Sequence, residues 1–224
     1  MTARELASRI DYSLLRADAT YEDIRRVCRE TRKYGFNSVC VLPAHVRLAT
    51  SLLRGTRSYA ISVAGYPLGA SRTETKVVEA SAAVRDGARE IDMVMNIGAL
   101  KSRDYALVER DVRAVARAVH AKGARLKVII ECAYLTDAEK GRASRIAAGA
   151  GADFIKTGTG YAPGAARPRD VRLIRKAVGK QIGIKAAGGI RSARQALALI
   201  AAGADRIGTS SAPEIFRELR ACHI

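Results

Sequence analysis

Two lysines end short apolar segments of this 224-residue chain that resemble buried strands. Lys156 closes ADFIK before the loop TGTG, and Lys185 closes IGIK before AAGGIR. Lysine is among the residue types least often buried, so each of the two needs a physical reason to be there. If the fold brings them together, their like charges disfavour protonation of both, and a neutral amine attacks carbonyl carbons. The two lysines therefore indicate Schiff-base chemistry.

The segments that must position these lysines recur along the chain in one pattern. A helical stretch, a glycine, a small or polar residue and a strand follow one another at 34–42, 86–95, 150–158 and 202–210. Helical segments with apolar residues three and four apart lie between these copies. Thr136 and Ser192, which precede two such segments, are residue types preferred at helix N-caps.

Eight segments have the composition of strands: 9–13, 37–42, 59–65, 90–96, 125–131, 153–157, 182–186 and 205–209. Strands that alternate with helices imply parallel strands joined by right-handed crossovers. Eight such units predict an α/β fold, a single-domain (β/α)₈ TIM barrel that spans residues 1–224. An open doubly wound sheet would share this alternation, but no GxGxxG follows the first strand, which disfavours its dinucleotide-binding form.

Strand parity predicts which side chains meet inside such a barrel. In 90–96 the apolar Ile91, Met93 and Met95 share one face, so Asp92 lies on the other. The same split places these polar residues opposite the aliphatic faces: Asp11, Ser13, Ser38, Cys40, Lys127, Glu131, Lys156 and Lys185. Unpaired buried charge is costly, so we expect either a paired network or a functional site near the C-terminal mouth. For Lys127 and Glu131, structural ion pairs are an equally good interpretation.

Glycine-rich turns follow the last two strands. They carry Gly188, Gly189, Gly208, Thr209, Ser210 and Ser211. Glycines let backbone N–H groups approach an anion, and the loops after strands 7 and 8 commonly bind phosphate in barrels. Beside two lysines, these turns predict an enzyme that forms a Schiff base with a phosphorylated carbonyl compound.

Composition narrows the classes further. No apolar run approaches the roughly 20 residues of a membrane span, so we expect a cytoplasmic protein with no membrane contact. The cysteines form no CxxC pair and are expected to be free thiols: Cys28, Cys40, Cys132 and Cys222. The histidines lack metal-ligand spacing, so neither a metal nor another cofactor is expected: His45, His120 and His223.

The formal net charge of +17 allows two interpretations. A basic patch for nucleic acid is one, and a solvated surface with a preference for anionic substrates is the other. The arginines are spread over helical stretches such as 110–125 and 167–180, and aromatic residues make up only 5% of the chain, with no Trp for base stacking. We therefore favour the solvated surface, and keep a basic nucleic-acid-binding domain as the non-enzymatic alternative.

The chain also resembles the deoxyribose-phosphate aldolases, class I aldolases with a barrel fold. The similarity runs in order through IDYSLL (10–15), YGFNSVCVLP (34–43), GYPLGAS (65–71), EIDMVMNIGALKS (90–102), LKVIIE (126–131), FIKTGTG (154–160), IKAAGGIR (184–191) and DRIGTSS (205–211). Such enzymes reversibly cleave 2-deoxy-D-ribose 5-phosphate to D-glyceraldehyde 3-phosphate and acetaldehyde without a metal. An aldolase for another phosphosugar, with the same lysine and a different pocket, is the alternative.

The resemblance implies a role for each candidate residue. Lys156 would be the Schiff-base lysine, Lys185 would tune its pKa, and Asp92 would transfer protons with Asp11 in support. The implied phosphate-binding residues are Gly160, Gly188, Gly189, Arg191, Gly208, Ser210 and Ser211. Family members are often dimers or tetramers, so we expect a homo-oligomer that takes a small phosphosugar and no nucleic acid.

Three departures from the family pattern lie close to these residues. The family usually has His-Thr where this chain has Tyr12-Ser13, Phe at Tyr66 and Ser at Gly158. None of them removes a group with an implied catalytic role.

Overall fold

Eight parallel strands close into a barrel in the computed structural model, which describes residues 1–221. Each strand pairs with the next along the chain, and the last pairs with the first. The strands are β1 Ile10–Leu14, β2 Ser38–Val41, β3 Tyr59–Ala64, β4 Glu90–Val94, β5 Arg125–Ile129, β6 Phe154–Lys156, β7 Gly183–Ala187 and β8 Arg206–Thr209. The pairing of β8 with β1 confirms the (β/α)₈ TIM barrel and excludes the open sheet.

Helices cover the outside of the barrel. They are α1 Ala3–Ala7, α2 Tyr21–Tyr34, α3 Val46–Leu53, α4 Thr73–Arg85, α5 Ile97–Lys101, α6 Tyr105–His120, α7 Asp137–Gly149, α8 Pro168–Val178, α9 Ala193–Ala201 and α10 Ala212–Ala221. Thr136 and Ser192 are confirmed as N-caps, each in a capping box with the residue three positions later. Within residues 1–221, no helix has the length and apolar character that crossing a membrane requires.

Two strands end two residues earlier than predicted, and the reason is local in each case. β4 stops at Val94 because Asn96 turns to cap α5, its side-chain oxygen accepting the Ala99 N–H at 3.0 Å. β5 stops at Ile129 because Glu131 adopts φ +50°, outside the extended region that a strand requires.

The aliphatic strand faces pack outward, as parity predicted. Ile91, Met93 and Met95 are fully buried in one apolar cluster that includes Val108 and Val112 of α6. Burial of this face stabilises the barrel at roughly 25 cal/mol for each Å² of apolar surface removed from water. The opposite faces of the strands are thereby directed into the barrel.

The sequence predicts free thiols at all four cysteines, and three of the four lie within the described residues. Cys28, Cys40 and Cys132 are free and buried, which confirms that prediction for the described residues. Cys222 and His223 lie outside the residues that the structure describes.

A buried ion pair between helices ties α4 and α6 to the barrel. Lys76 Nζ lies 2.6 Å from Asp111 Oδ2 and donates to the Val94 carbonyl at 3.0 Å. Both side chains are almost completely shielded from water. The Lys76 stem crosses directly over Gly65, where a Cβ would come within 2.8 Å of Lys76 Cε. Gly65 therefore makes the space through which this lysine reaches its partner.

We predict that Asp111→Ala lowers the free energy of unfolding by about 3–5 kcal/mol, because it strands the Lys76 ammonium without its carboxylate in the interior. The measurement is the urea midpoint of denaturation. Asp86→Ala, which removes the partner of the exposed Arg47, is the control and should move the midpoint little. Equal midpoints for the two variants would contradict the prediction.

Candidate active site

The two lysines lie next to each other inside the barrel. Strand register pairs Lys156 of β6 directly with Lys185 of β7, and their side chains are 2% and 0% exposed. Asp92 of β4 lies between them, and its Oδ2 accepts from Lys156 Nζ at 2.8 Å and from Lys185 Nζ at 2.7 Å. The structure thus brings together the three residues with implied catalytic roles.

A third lysine completes the surroundings of Asp92. Lys127 Nζ lies 3.0 Å from Asp92 Oδ1 and also pairs with Glu90. All three side chains are fully buried. Of the two interpretations left open for Lys127, the structure supports the ion pair.

Asp11 lies on the other side of Lys185. Its Oδ2 is 2.8 Å from Lys185 Nζ, and its Oδ1 pairs with Arg206 and accepts from Ser38 Oγ at 2.7 Å. Arg206 Nη2 is also 3.5 Å from Glu90 Oε2. A continuous series of alternating cations and carboxylates therefore runs from Glu90 and Arg206 through Asp11 to the lysine pair.

The buried charges inside the barrel do not balance. Among the described residues, four cations face three carboxylates: Lys127, Lys156, Lys185 and Arg206 against Asp11, Glu90 and Asp92. Within residues 1–221, Asp92 is the only carboxylate that pairs with Lys156, and Asp92 is shared with two other amines. Each of the other three cations reaches two carboxylates. Lys156 therefore has the least compensating negative charge of the four.

Burial and neighbouring charge act in opposite directions on these groups. Burial alone would raise the pKa of Asp92, but Lys127, Lys156 and Lys185 hold that pKa well below its usual range. Burial alone would lower the pKa of Lys185, but Asp11 and Asp92 raise it above its ordinary value. Asp92 is consequently an anion and Lys185 a cation at neutral pH. That Lys185 in turn tunes Lys156 stays a prediction.

Cys40 lies beside this network without joining it as a charge. Its Sγ is 4.0 Å from Asp92 Oδ2 and it is fully buried. Burial, helped by the charge of Asp92, raises the pKa of the Cys40 thiol to about 11. It is therefore a neutral thiol that packs as a small apolar side chain.

A cavity of about 510 Å³ opens at the C-terminal mouth of the barrel. Lys156 lines it, whereas Lys185, Asp92 and Asp11 lie below, outside the lining. Six of the residues implied in phosphate binding also line it: Gly160, Gly188, Gly189, Arg191, Gly208 and Ser210. Ser211 does not, because it leads into α10 and donates its N–H to Thr209 Oγ1 at 2.9 Å. The structure places the lysine and the glycine turns around one space.

The absence of a side chain at Gly208 also matters for the packing of Lys185, which the sequence did not suggest. A Cβ there would lie 2.8 Å from Lys185 Cε and 2.9 Å from Ala187 Cβ. Contacts this short displace one of the two groups. The missing side chain of Gly208 therefore makes room for Lys185 to reach Asp11 and Asp92.

Sequence reasoning missed several residues of the site. Glu90 and Arg206 belong to the charge network, and parity could have found them, because each lies two positions before an inward residue, Asp92 or Gly208. Four more of the residues that line the cavity have polar side chains and had no predicted role there, and no local pattern marks them: Arg16, Tyr66, Thr159 and Tyr161.

Within the part of the chain that the structure describes, Glu131 does not form the ion pair considered for it. Its carboxylate accepts the Thr159 N–H at 3.1 Å and the Thr159 hydroxyl at 2.5 Å. The chain has left the strand at Ile129, so the parity that assigned Glu131 to the barrel interior no longer applies. The residue holds the loop after β6 instead.

This chain, with its barrel, its cavity-lining lysine and its glycine turns, is similar to known proteins. Residues 5–218 match the model of the DeoC/LacD family aldolases. The chain belongs to this aldolase family. The match covers every strand of the barrel, so the site described above lies wholly within the family region.

Named relatives of this DeoC/LacD family aldolase match it over nearly the whole chain. The deoxyribose-phosphate aldolase of Aciduliprofundum boonei is 56% identical over 98% of this chain and 99% of its own. That of Thermococcus kodakarensis is 52% identical over 96% of this chain and 97% of its own. Among solved structures, an aldolase called QR15 has a TM-score of 0.92 at 40% identity, covering 98% of this chain and 97% of its own. The tetrameric deoxyribose phosphate aldolase of Aeropyrum pernix has a TM-score of 0.92 at 34% identity, covering 99% and 93%.

We predict that Gly208→Ala lowers aldolase turnover by about a hundredfold, because the added methyl group displaces the Lys185 side chain and misplacement of about 1 Å can cost that much. Steady-state kinetics at saturating substrate measures the change. Gly149→Ala is the matched control, since a Cβ at Gly149 meets nothing within 4 Å. Turnover like the wild type in folded Gly208→Ala would show that Lys185 tolerates the displacement.

Proposed function

We propose that this aldolase reversibly cleaves 2-deoxy-D-ribose 5-phosphate to D-glyceraldehyde 3-phosphate and acetaldehyde through a Schiff base on Lys156. The observation that carries the proposal is that Lys156 alone of the three interior lysines lines the mouth cavity, while Lys127 and Lys185 are enclosed among carboxylates. The names of the relatives above support the substrate. The activity is that of a carbon–carbon lyase.

The first half of the reaction joins substrate and enzyme. The neutral Lys156 amine attacks C1 of the open-chain sugar, the carbonyl π electrons move to oxygen, and proton transfers give a carbinolamine. Loss of water then leaves a protonated imine. Asp92, already 2.8 Å from Lys156 Nζ, stabilises that positive charge.

The second half breaks the carbon–carbon bond. A base, which we take to be Asp92 acting through a water molecule, accepts the C3 hydroxyl proton while the electron pair of the broken O–H bond forms the C3 carbonyl. The C2–C3 electron pair moves toward the imine and leaves an enamine, and D-glyceraldehyde 3-phosphate departs. Return of the proton to C2 and addition of water release acetaldehyde and the free amine. Lys185 supplies a fixed positive charge beside the reacting nitrogen throughout, and Asp11 holds Lys185 in place.

The glycine turns account for the phosphate group. Gly160 and Gly188 have φ values of +93° and +106°, a backbone conformation that glycine adopts readily. Because glycine has no side chain, nothing of its own blocks an anion that approaches its N–H group. Arg191 adds a positive charge at the same cavity, and Ser210 adds a hydroxyl. A dianion at this end would place the aldehyde carbon toward Lys156.

Three further features belong to the same proposal. The tetrameric relative from Aeropyrum pernix supports a homo-oligomer of this chain. We place the barrel in the cytoplasm as one catalytic domain. The net charge of +17 then serves anionic substrates, with no nucleic-acid partner.

We expect borohydride reduction in the presence of 2-deoxyribose 5-phosphate to leave one stable adduct, on Lys156, because only an imine is reduced to a permanent carbon–nitrogen bond. Peptide mapping by mass spectrometry locates it. Lys156→Ala should lose both the adduct and turnover, whereas Lys122→Ala, at an exposed lysine, should keep both. An adduct on another lysine, or none in the folded wild type, would contradict the proposal.

Lys185→Met should lower kcat by roughly 10²-fold and move the activity profile toward alkaline pH. The substitution removes a fixed positive charge beside Lys156, so the neutral amine forms only at higher pH. Activity measured from pH 5 to 10 tests the shift, and Lys180→Met, at an exposed lysine, is the control. A residually active variant with an unchanged profile would remove the tuning role from Lys185.

A further inference from the structure

The loop after β6, residues 157–167, is fixed at Thr159 on two sides. The Thr159 N–H and hydroxyl both donate to the carboxylate of Glu131, at 3.1 Å and 2.5 Å. The Thr159 carbonyl accepts from the Tyr66 hydroxyl at 2.9 Å. Thr159 is only 7% exposed, so these bonds form away from competing water.

A second tyrosine continues the connection across the mouth. The Tyr161 ring packs edge-on against the Tyr66 ring, with centroids 5.6 Å apart and planes at 86°. Its hydroxyl donates to the Leu15 carbonyl at 3.0 Å. We call Tyr66 and Tyr161 with these two carbonyl acceptors the tyrosine clasp. The clasp joins the loops that follow β1, β3 and β6.

The clasp bears on one backbone group of the phosphate site. The Thr159 carbonyl and the Gly160 N–H belong to the same peptide unit, which is planar and trans, so they point in opposite directions. A hydrogen bond that fixes the carbonyl toward Tyr66 therefore fixes the Gly160 N–H away from it. Gly160 tolerates either sign of φ, so this peptide could rotate at little cost without such a restraint.

The contacts of Tyr66 divide between its ring and its hydroxyl. Phe would retain the ring that packs against Tyr161 but would lack the hydroxyl that binds the Thr159 carbonyl. Burial raises the pKa of the Tyr66 hydroxyl above its ordinary value, so it remains a hydrogen-bond donor at neutral pH.

We propose that Tyr66 is a positioning residue that orients the Gly160 N–H for the phosphate group of the substrate, acting through the Thr159 carbonyl. The inference rests on the proposed function, because it assumes that the glycine turns receive phosphate. Tyr66 then contributes to the selection of phosphorylated over unphosphorylated sugar and not to the chemistry at Lys156.

The test compares Tyr66→Phe with the wild type on 2-deoxyribose 5-phosphate and on 2-deoxyribose. The loss of one neutral hydrogen bond is expected to raise KM for the phosphorylated sugar about three- to tenfold with kcat nearly unchanged. kcat/KM for 2-deoxyribose should stay the same. The inhibition constant of inorganic phosphate against 2-deoxyribose 5-phosphate should rise by the same factor. Tyr21→Phe, at an exposed tyrosine that does not line the mouth cavity, should change none of these values.

Two results would overturn the inference. Equal losses on both sugars would mean that the hydroxyl supports the site in general, and unchanged inhibition by phosphate would mean that it does not orient the Gly160 peptide. The rate of borohydride trapping of acetaldehyde on Lys156 is measured alongside. Absence of that adduct in the wild type would count against the proposed function, whereas a normal adduct with unaltered phosphate selectivity in Tyr66→Phe would count against Tyr66 alone.

Discussion

The contact on which the barrel interior depends is the one between Asp92 and three ammonium groups. Lys127, Lys156 and Lys185 come from three consecutive strands, and all reach the carboxylate of β4. Removing this carboxylate would leave Lys156 without a carboxylate partner among the described residues, whereas Lys127 would keep Glu90 and Lys185 would keep Asp11. A buried charge without a partner costs several kcal/mol, so the arrangement of these amines depends on one side chain of β4.

The rest of the network divides into a closed part near the N-terminal ends of the strands and a part that opens onto the cavity at the C-terminal mouth. Arg206, Glu90 and Tyr59 pair among themselves toward the N-terminal ends of the strands, where Tyr59 donates to Glu90 Oε1 at 2.9 Å. These contacts help to hold the pKa of Asp11 below its usual range and orient Lys127, but they do not line the mouth cavity. Within the described residues, Lys156 alone belongs to the network and also lines that cavity. Stability and reactivity are thus separated along the barrel axis.

Strand parity predicted the charged interior well because successive side chains of a strand always point to opposite faces of the sheet. As expected, four charged residues face inward: Asp11, Asp92, Lys156 and Lys185. The N-caps Thr136 and Ser192 could be predicted because the signal for a cap lies within a few residues of the helix start. Prediction failed where the chain leaves the strand, as at Glu131 with its positive φ. It also failed for Tyr66 and Thr159, which are 93 positions apart and meet only when the barrel closes. Nothing in either local sequence specifies that contact.

The chain also contains a buried lysine outside the site, Lys76, and its surroundings differ from those of Lys156 in ways that support the role proposed for Lys156. Lys76 is as well shielded as Lys156 and lies as close to its carboxylate, 2.6 Å against 2.8 Å. Its pair with Asp111 is balanced, one cation to one anion, and Gly65 closes over its stem. Burial and pairing therefore do not distinguish the two lysines. Lys156 differs because its carboxylate is shared with two other amines and because its amine opens onto a cavity of about 510 Å³. The shared carboxylate leaves Lys156 with less compensating charge than Lys76 has, and the cavity lets a carbonyl carbon reach its amine, as the proposed function requires.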